Sequence, residues 1–249
     1  MSLHQIERKT SFFKNKFFKY FLYAIGEILL IVTGILIAFY VNKNNEHRKE
    51  VAKAEEYIHG IYLDLQSDTT TFSKTLSSFQ PFLDFKKWVL NQHSLEQLPL
   101  ENLQFIPIVA EFNDQINNRM YSKMQNNDFL GVSEYQEVFD SIYHYYVVTQ
   151  SSLNTVNDWD NEASKFEGKF WEYQPHYEMS FPVRDTIAPY RQSDDERRRQ
   201  LLKVINSVEG RNYMKADYFR KKSTIETYGK VRDQAARLID YLKEEMGYE

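Results

Sequence analysis

Residues 21–41 read FLYAIGEILLIVTGILIAFYV, a run of 21 residues with one ionisable side chain, Glu27. About 20 apolar residues in a helix suffice to cross a bilayer, and no other stretch of this chain approaches that apolarity. Aromatic residues crowd both ends: Phe17, Phe18, Tyr20, Phe21 and Tyr23 before it, Phe39 and Tyr40 at its close. Such rings suit the boundary between water and lipid. A cleavable signal peptide has a shorter apolar core and ends in small residues. This run ends Ile37-Ala38-Phe39-Tyr40, so an uncleaved anchor is the better reading. Three segments follow: a basic tail over 1–20, a transmembrane helix over 21–41, and a domain over 42–249.

Arg8, Lys9, Lys14, Lys16 and Lys19 precede the span, whereas Lys43, Arg48, Lys49 and Lys53 follow it. Lys and Arg are retained on the cytoplasmic side. The narrow bias predicts a cytoplasmic N-terminus and a translocated C-terminal domain.

Glu27 lies six residues into the span, roughly 9 Å deep at about 1.5 Å of rise per residue. A carboxylate there is costly and marks a candidate site. Gly34 and Ala38 form a small-xxx-small pair, which permits close helix approach, and Gly34 falls seven residues after Glu27, on the same face. Glu27, Gly34 and Ala38 are therefore the candidate residues for helix association within the membrane. The alternatives for Glu27 are a shallow carboxylate reaching the interface and a proton-handling role.

The order of a basic aromatic tail, then Tyr23-Ala24-Ile25-Gly26-Glu27-Ile28-Leu29-Leu30, then Gly34-Ile35-Leu36-Ile37-Ala38 and a polar exit Asn42-Lys43-Asn44-Asn45-Glu46 resembles an uncharacterised family. Its members are small single-pass membrane proteins of Bacteroidota, known as a domain of unknown function. The resemblance is specific over about residues 15–65. It departs at the exit, where members more usually carry a Trp and this chain has none. It implies an inner-membrane anchor with a helical periplasmic domain, and it supplies no activity, cofactor or catalytic residue.

Beyond the span, apolar residues recur every seven positions: Val51, Ile58, Leu65, Phe72 and Phe79, with Ala54 and Ile61 between them. That is a coiled-coil-like seam of about four heptads, which Asp68 interrupts. The amide-rich residues 42–45 are a place where the anchor helix either breaks or continues, and Pro81 predicts a stop or kink. A separate helical piece is expected over residues 84–92, then one or two short helices with loops near 93–100 and 113–132. A second seam runs through Val132, Tyr135, Phe139, Ile142, Tyr146, Leu153, Val156, Ala163, Phe166 and Phe170. It predicts one helix of about 35–40 residues, with a possible break near 154–161. Pro175, Pro182 and Pro189 mark an extended connection. Ser193 followed by Asp194, Asp195 and Glu196 is a helix start. A last run carries Leu202, Ile205, Val208, Ala216 and Phe219, then Tyr228, Val231, Ala235, Leu238 and Leu242. Long amphipathic helices without strand patterning predict an all-α chain, a transmembrane helix followed by an antiparallel helical bundle.

The search for chemistry returns little. The chain has no cysteine, which removes disulfides, thiol catalysis and Cys-based metal sites. No phosphate-cradling, zincin or nucleophile-elbow motif is present, so no catalytic, cofactor-binding or metal residue is assigned and no cofactor is implied. Glu55 with His59 and Asp140 with His144 are spaced to share a helix face, but a metal needs a third ligand. Asp64 and Asp68 read as an ordinary carboxylate pair on a solvated helix. Residues 1–50 carry a charge of +4 and the remainder −8, a balance that argues against nucleic acid as a partner. Tyr143 and Tyr145 fall off the seam and are the candidate residues for partner contact, with packing inside the bundle as the alternative.

These readings predict a non-enzymatic, membrane-anchored helical protein: a scaffold, an assembly factor or a subunit of an envelope complex. Its expected partners are membrane lipid and either further copies of itself or another envelope protein. The alternatives are a ligand-sensing module that signals through a partner subunit and a cell-envelope enzyme with dispersed carboxylates.

Overall fold

The computed structural model describes the backbone of residues 4–179 and 190–248, with side chains from residue 18 onward. Pro182 and Pro189 of the expected connection lie outside the described residues. Helices carry the fold, and there is no strand among the described residues. The chain divides into two compact units, Met1–Glu56 and Tyr57–Glu249.

Helix α1 (His4–Asn91) enters both units. It holds one stretch long and apolar enough to cross a membrane, with a mean hydropathy of 2.4 in its most apolar window and none of that window buried. The helix does not break at residues 42–45. There the Asn42 amide donates to Glu46 Oε1 one turn on, at 2.9 Å, so an amide able to compete with the helix instead supports it. Nor does Pro81 end the helix. The separate piece expected over 84–92 is its last turns.

The second unit is an antiparallel bundle. Its elements after α1 are α2 (Leu100–Leu103), α3 (Arg119–Asn126), α4 (Gln136–Tyr143), a π-helical turn (His144–Thr149), α5 (Gln150–Glu172), α6 (Asp194–Asn206) and α7 (Val208–Met246). Three contacts fix the direction of α5 against α7. Tyr228 meets Asn157, Lys221 meets Ser164 and Tyr213 stacks on Phe170, so one number falls as the other rises. Ile58, Leu65 and Phe72 of the first seam are fully buried, and Phe79 lies 4.1 Å from the Phe112 ring centre.

The helix starts follow local chemistry. The Ser193 side chain accepts from Glu196 N–H, with Asp194, Asp195 and Glu196 in the first turn of α6; these acids also favour the positive end of the helix dipole. Ser207 repeats the device for α7, accepting from Gly210 N–H at 3.0 Å. The run read from Leu202 to Phe219 is thus two helices meeting at one serine. Their approach demands Gly210, since a Cβ there would sit 2.1 Å from the Val204 carbonyl oxygen.

An apolar core joins Val89, Leu95, Leu103, Ile106, Trp171, Leu201, Ile205 and Met214. Leu153 and Val156 of α5 and Tyr228, Val231, Ala235, Leu238 and Leu242 of α7 are buried as their spacing indicates, but over the second half of α5 and the first half of α7 the buried face is a different one. The second seam places Ala163 and Phe166 inward, yet Phe166 is 62% exposed while Asp160, Ser164 and Glu167 are buried. Likewise Val208 is 80% and Phe219 66% exposed, and Asp217, Arg220, Lys221 and Thr224 are buried in their place. In that stretch the three- and four-residue steps are right and the face is wrong.

Candidate functional site

Residues 108–118 have no regular structure, although Phe112 and Ile116 within them are buried. A segment of this kind must find partners for its backbone groups outside any helix ladder. Side chains of α1, the π-helical turn, α5 and α7 supply several of them. Phe112 N–H donates to Asp160 at 3.3 Å. Asp114 N–H donates to the Tyr228 hydroxyl at 3.0 Å, and its carbonyl accepts from the Asn157 amide at 3.0 Å. The Asp114 carboxylate accepts from the Thr75 hydroxyl. Asn117 N–H donates to Asp68 at 2.8 Å, and its carbonyl accepts from the Tyr146 hydroxyl at 3.2 Å. The segment is a strap, tied down peptide by peptide.

Where the strap ends, Asp64 takes over. Its carboxylate accepts from Met120 N–H at 2.8 Å, from Arg119 at 2.9 Å and from the Asn117 amide at 3.2 Å. A carboxylate at the first turn of α3 satisfies donors that a helix start leaves unpaired. Asp68, one turn along α1, receives Asn117 N–H and the Tyr145 hydroxyl, the latter at 2.8 Å. Burial raises the Asp68 carboxyl to about 6, against the lowering effect of those two bonds. Burial also raises the Tyr145 phenol, and the neighbouring Asp68 charge adds to the effect. Asp64 and Asp68, expected on a solvated face, are thus 2% and 1% exposed, and their role is to anchor the strap.

A second polar layer lies between α1, α5 and α7. Arg220 donates to Asp160 at 2.9 Å, to Glu167 at 2.6 Å and to Asp217 at 2.7 Å. Lys221 donates to both oxygens of Asp160, at 2.6 and 2.8 Å, and to Ser164 at 3.2 Å. Lys86 of α1 binds Asp217 and lies 4.0 Å from Glu167 Oε1. All six charged side chains are at most 5% exposed. Three cations face three carboxylates, the balance that burial of charge requires. Burial, followed by the Asp217 charge, raises Glu167 to about 7. Burial lowers Lys221 against the pull of Asp160. Burial likewise works against the charge of Arg220, but its bond to Glu167 and the Asp217 charge outweigh it and hold the guanidinium above its ordinary value.

The residues singled out in the sequence are not brought together with these layers, with one exception. Glu27, Gly34 and Ala38 lie exposed in the apolar part of α1, and a Cβ at Gly34 would meet nothing within 4 Å. Tyr143 is exposed at 56%, as a partner contact requires. Tyr145 is 2% exposed and turned inward onto Asp68, so the two tyrosines do not form one outward patch. Residues two apart on a helix do not share a face, so Tyr143 and Tyr145 point to different sides where the π-helical turn begins. Asp140 accepts from Gln136 rather than from His144, and His59 packs against Tyr62 and Tyr248. Among the described residues, no group of three metal-ligating side chains converges.

Asp160, Glu167, Asp217, Arg220, Lys221 and Lys86 went unread in the sequence because a hydropathy pattern assigns charge to the surface. One signal was available. Polar residues at 160, 164 and 167 and at 217, 220, 221 and 224 keep helical steps, and the two sets carry complementary charge. The carboxylates of both layers are buried and held by side chains and peptide groups, although Glu167 Oε1 has no hydrogen-bond partner among the described residues; this is the arrangement of a built interior rather than of a substrate cleft. Comparison with protein-family models, curated proteins and solved structures finds no match for the chain.

Proposed function

We propose that the chain is a single-pass anchored helical protein that acts through contact with other proteins, as a scaffold, an assembly factor or a subunit of an envelope complex. Its N-terminus is cytoplasmic in this reading and its bundle periplasmic, following the Lys and Arg bias around the span and the family resemblance of residues 15–65. One observation carries the proposal: apolar surface that the fold leaves uncovered. The span is unburied. Trp159 and Phe166 of α5 and Tyr173 at its C-terminal cap recur every seven residues and are 49%, 62% and 76% exposed. Seven-residue spacing keeps the three on one stripe of the helix. Meanwhile the polar groups best suited to chemistry are spent on the strap and the ionic layer. Exposed rings in a row are characteristic of the buried centre of protein interfaces.

The test is the mass and composition of the full-length protein purified from native membranes in mild detergent. The expected result is either a partner in fixed ratio, lost on Trp159→Ser with Phe166→Ser, or a homo-oligomer that Gly34→Leu dissociates. A lone monomer, or complexes indifferent to both sets of changes, overturns the proposal.

A further inference from the structure

The π-helical turn has a chemical consequence at its last residue. Helical threonines normally donate their hydroxyl back to the carbonyl three or four residues earlier. Thr69, Thr70, Thr155, Thr224 and Thr227 of this chain do so. Thr149 does not. The Tyr145 carbonyl, four residues before it, is taken by Gln150 N–H in the wider winding, and the Thr149 hydroxyl is left buried without a partner. Thr149 is 4% exposed, so this is a polar group withdrawn from water with nothing in return, a costly arrangement.

Thr149 also lines a groove of about 340 Å³ between the π-helical turn and α7. That volume is at the small end of small-molecule sites. Thr149 and Gln234 stand at one end, and Tyr145 and Leu238 provide buried walls. His144 and Arg237 stand on the exposed rim. Arg237 makes no hydrogen bond or ion pair among the described residues. Three residues separate Gln234 from Arg237, about 4.5 Å along the helix axis. At Tyr241, which also lines the groove, burial and then the charges of Glu245, Glu137 and Glu244 raise the phenol, so that end of the lining sits in a negative field. Their field opposes a multiply charged anion and tolerates a single carboxylate beside Arg237.

From this geometry we infer that the groove is a binding site for a small monocarboxylate with an apolar body and a hydrogen-bonding group at its far end. The carboxylate meets Arg237 and His144, the body lies on Leu238 and Tyr145, and the far group meets Gln234 and Thr149. No bond holds the Thr149 hydroxyl in its covered position, so a turn about χ1 presents it to the ligand without loss of a hydrogen bond. Tyr145 links the site to the strap, since its hydroxyl donates to Asp68, which holds Asn117.

The experiment is a saturation-transfer NMR titration of the full chain in detergent with 4-hydroxybenzoate and with benzoate, which lacks the far hydroxyl. Thr149→Val keeps the shape and removes the orphan group, so it leaves the fold as stable or more so. The expected result is saturable binding of 4-hydroxybenzoate, weakened about tenfold by Thr149→Val, the worth of one hydrogen bond. Benzoate should bind the parent and Thr149→Val alike, and Arg237→Gln should weaken both probes. Absence of saturable binding by either probe overturns the inference. So does binding that ignores both Thr149→Val and Arg237→Gln.

Discussion

The bundle buries carboxylates in two layers, and the layers neutralise them by different means. Between α5 and α7, Asp160, Glu167 and Asp217 face Arg220, Lys221 and Lys86, charge against charge. Under the strap, Asp64 and Asp68 face peptide N–H groups, an amide and a phenol, with one guanidinium, Arg119, that is itself mostly exposed. The first layer joins helices to one another. The second joins a helix to a segment with no ladder of its own. A buried ion layer is costly to break from one side only, whereas removing the charge of Asp68 strands no buried counter-charge. Removing one member of each layer separates these two regimes.

Arg220→Met is the largest expected effect. It removes three ion pairs at once and leaves three buried carboxylates facing two lysines. The cost expected for such an orphaned charge is about 3–5 kcal/mol, read as a fall in the urea midpoint of the full chain in detergent. Adding Glu167→Leu restores the balance, two lysines then facing Asp160 and Asp217 with less charge to bury. The double variant should recover part of the loss. If Arg220→Met alone costs under about 1 kcal/mol, the layer is not the buried neutral network that its geometry describes.

The fold was legible to the extent that apolarity marks the interior. Ile58, Leu65, Phe72, Phe139, Ile142 and Leu153 are buried where their spacing places them, and Ser193 caps α6 as its acids announced. Legibility failed where burial is polar. Asp68 appears in the sequence as the break of a seam, yet it continues the buried face of α1. Phe166 and Phe219 appear as core, yet they are exposed because Glu167 and Arg220 beside them take the inner positions. The strap explains why. A backbone without a ladder needs side-chain acceptors inside the bundle, and that demand comes from tertiary structure, which a local pattern does not carry. Tyr143 and Tyr145, by contrast, are parted by ordinary helical geometry, since residues two apart do not share a face, and the inner one binds Asp68.

Asp64→Asn is the intermediate case. The change deprives Met120 N–H, Arg119 or the Asn117 amide of an acceptor, since an amide offers one oxygen where the carboxylate offers two. A loss of about 1–3 kcal/mol is expected from an unmet buried donor, with the start of α3 the first region to lose amide-exchange protection. Protection lost evenly across the bundle would deny Asp64 its local role as the tie of strap and helix.

Asp68→Asn gives the smallest effect and the sharpest contrast, because its sign depends on pH. Asp68 is raised by burial to about 6 and Glu167 to about 7, both above the values of an unfolded chain. A group raised in this way binds its proton more tightly when folded. Its stabilising contribution is complete below the unfolded value and is lost as pH rises through the folded one. The parent chain should therefore gain stability as pH falls from about 8 to about 5, by at most about 1.4 kcal/mol per pH unit for each proton taken up. Glu167→Gln should flatten the upper half of that rise and Asp68→Asn the lower half. Near pH 8 the Asp68 amide bears no charge to bury and can still accept from Asn117 N–H, so the variant should match or exceed the parent there and fall behind it near pH 5. A variant equally destabilised at both values would mean that the Asp68 charge is wanted by the fold, and the two layers would then follow one rule.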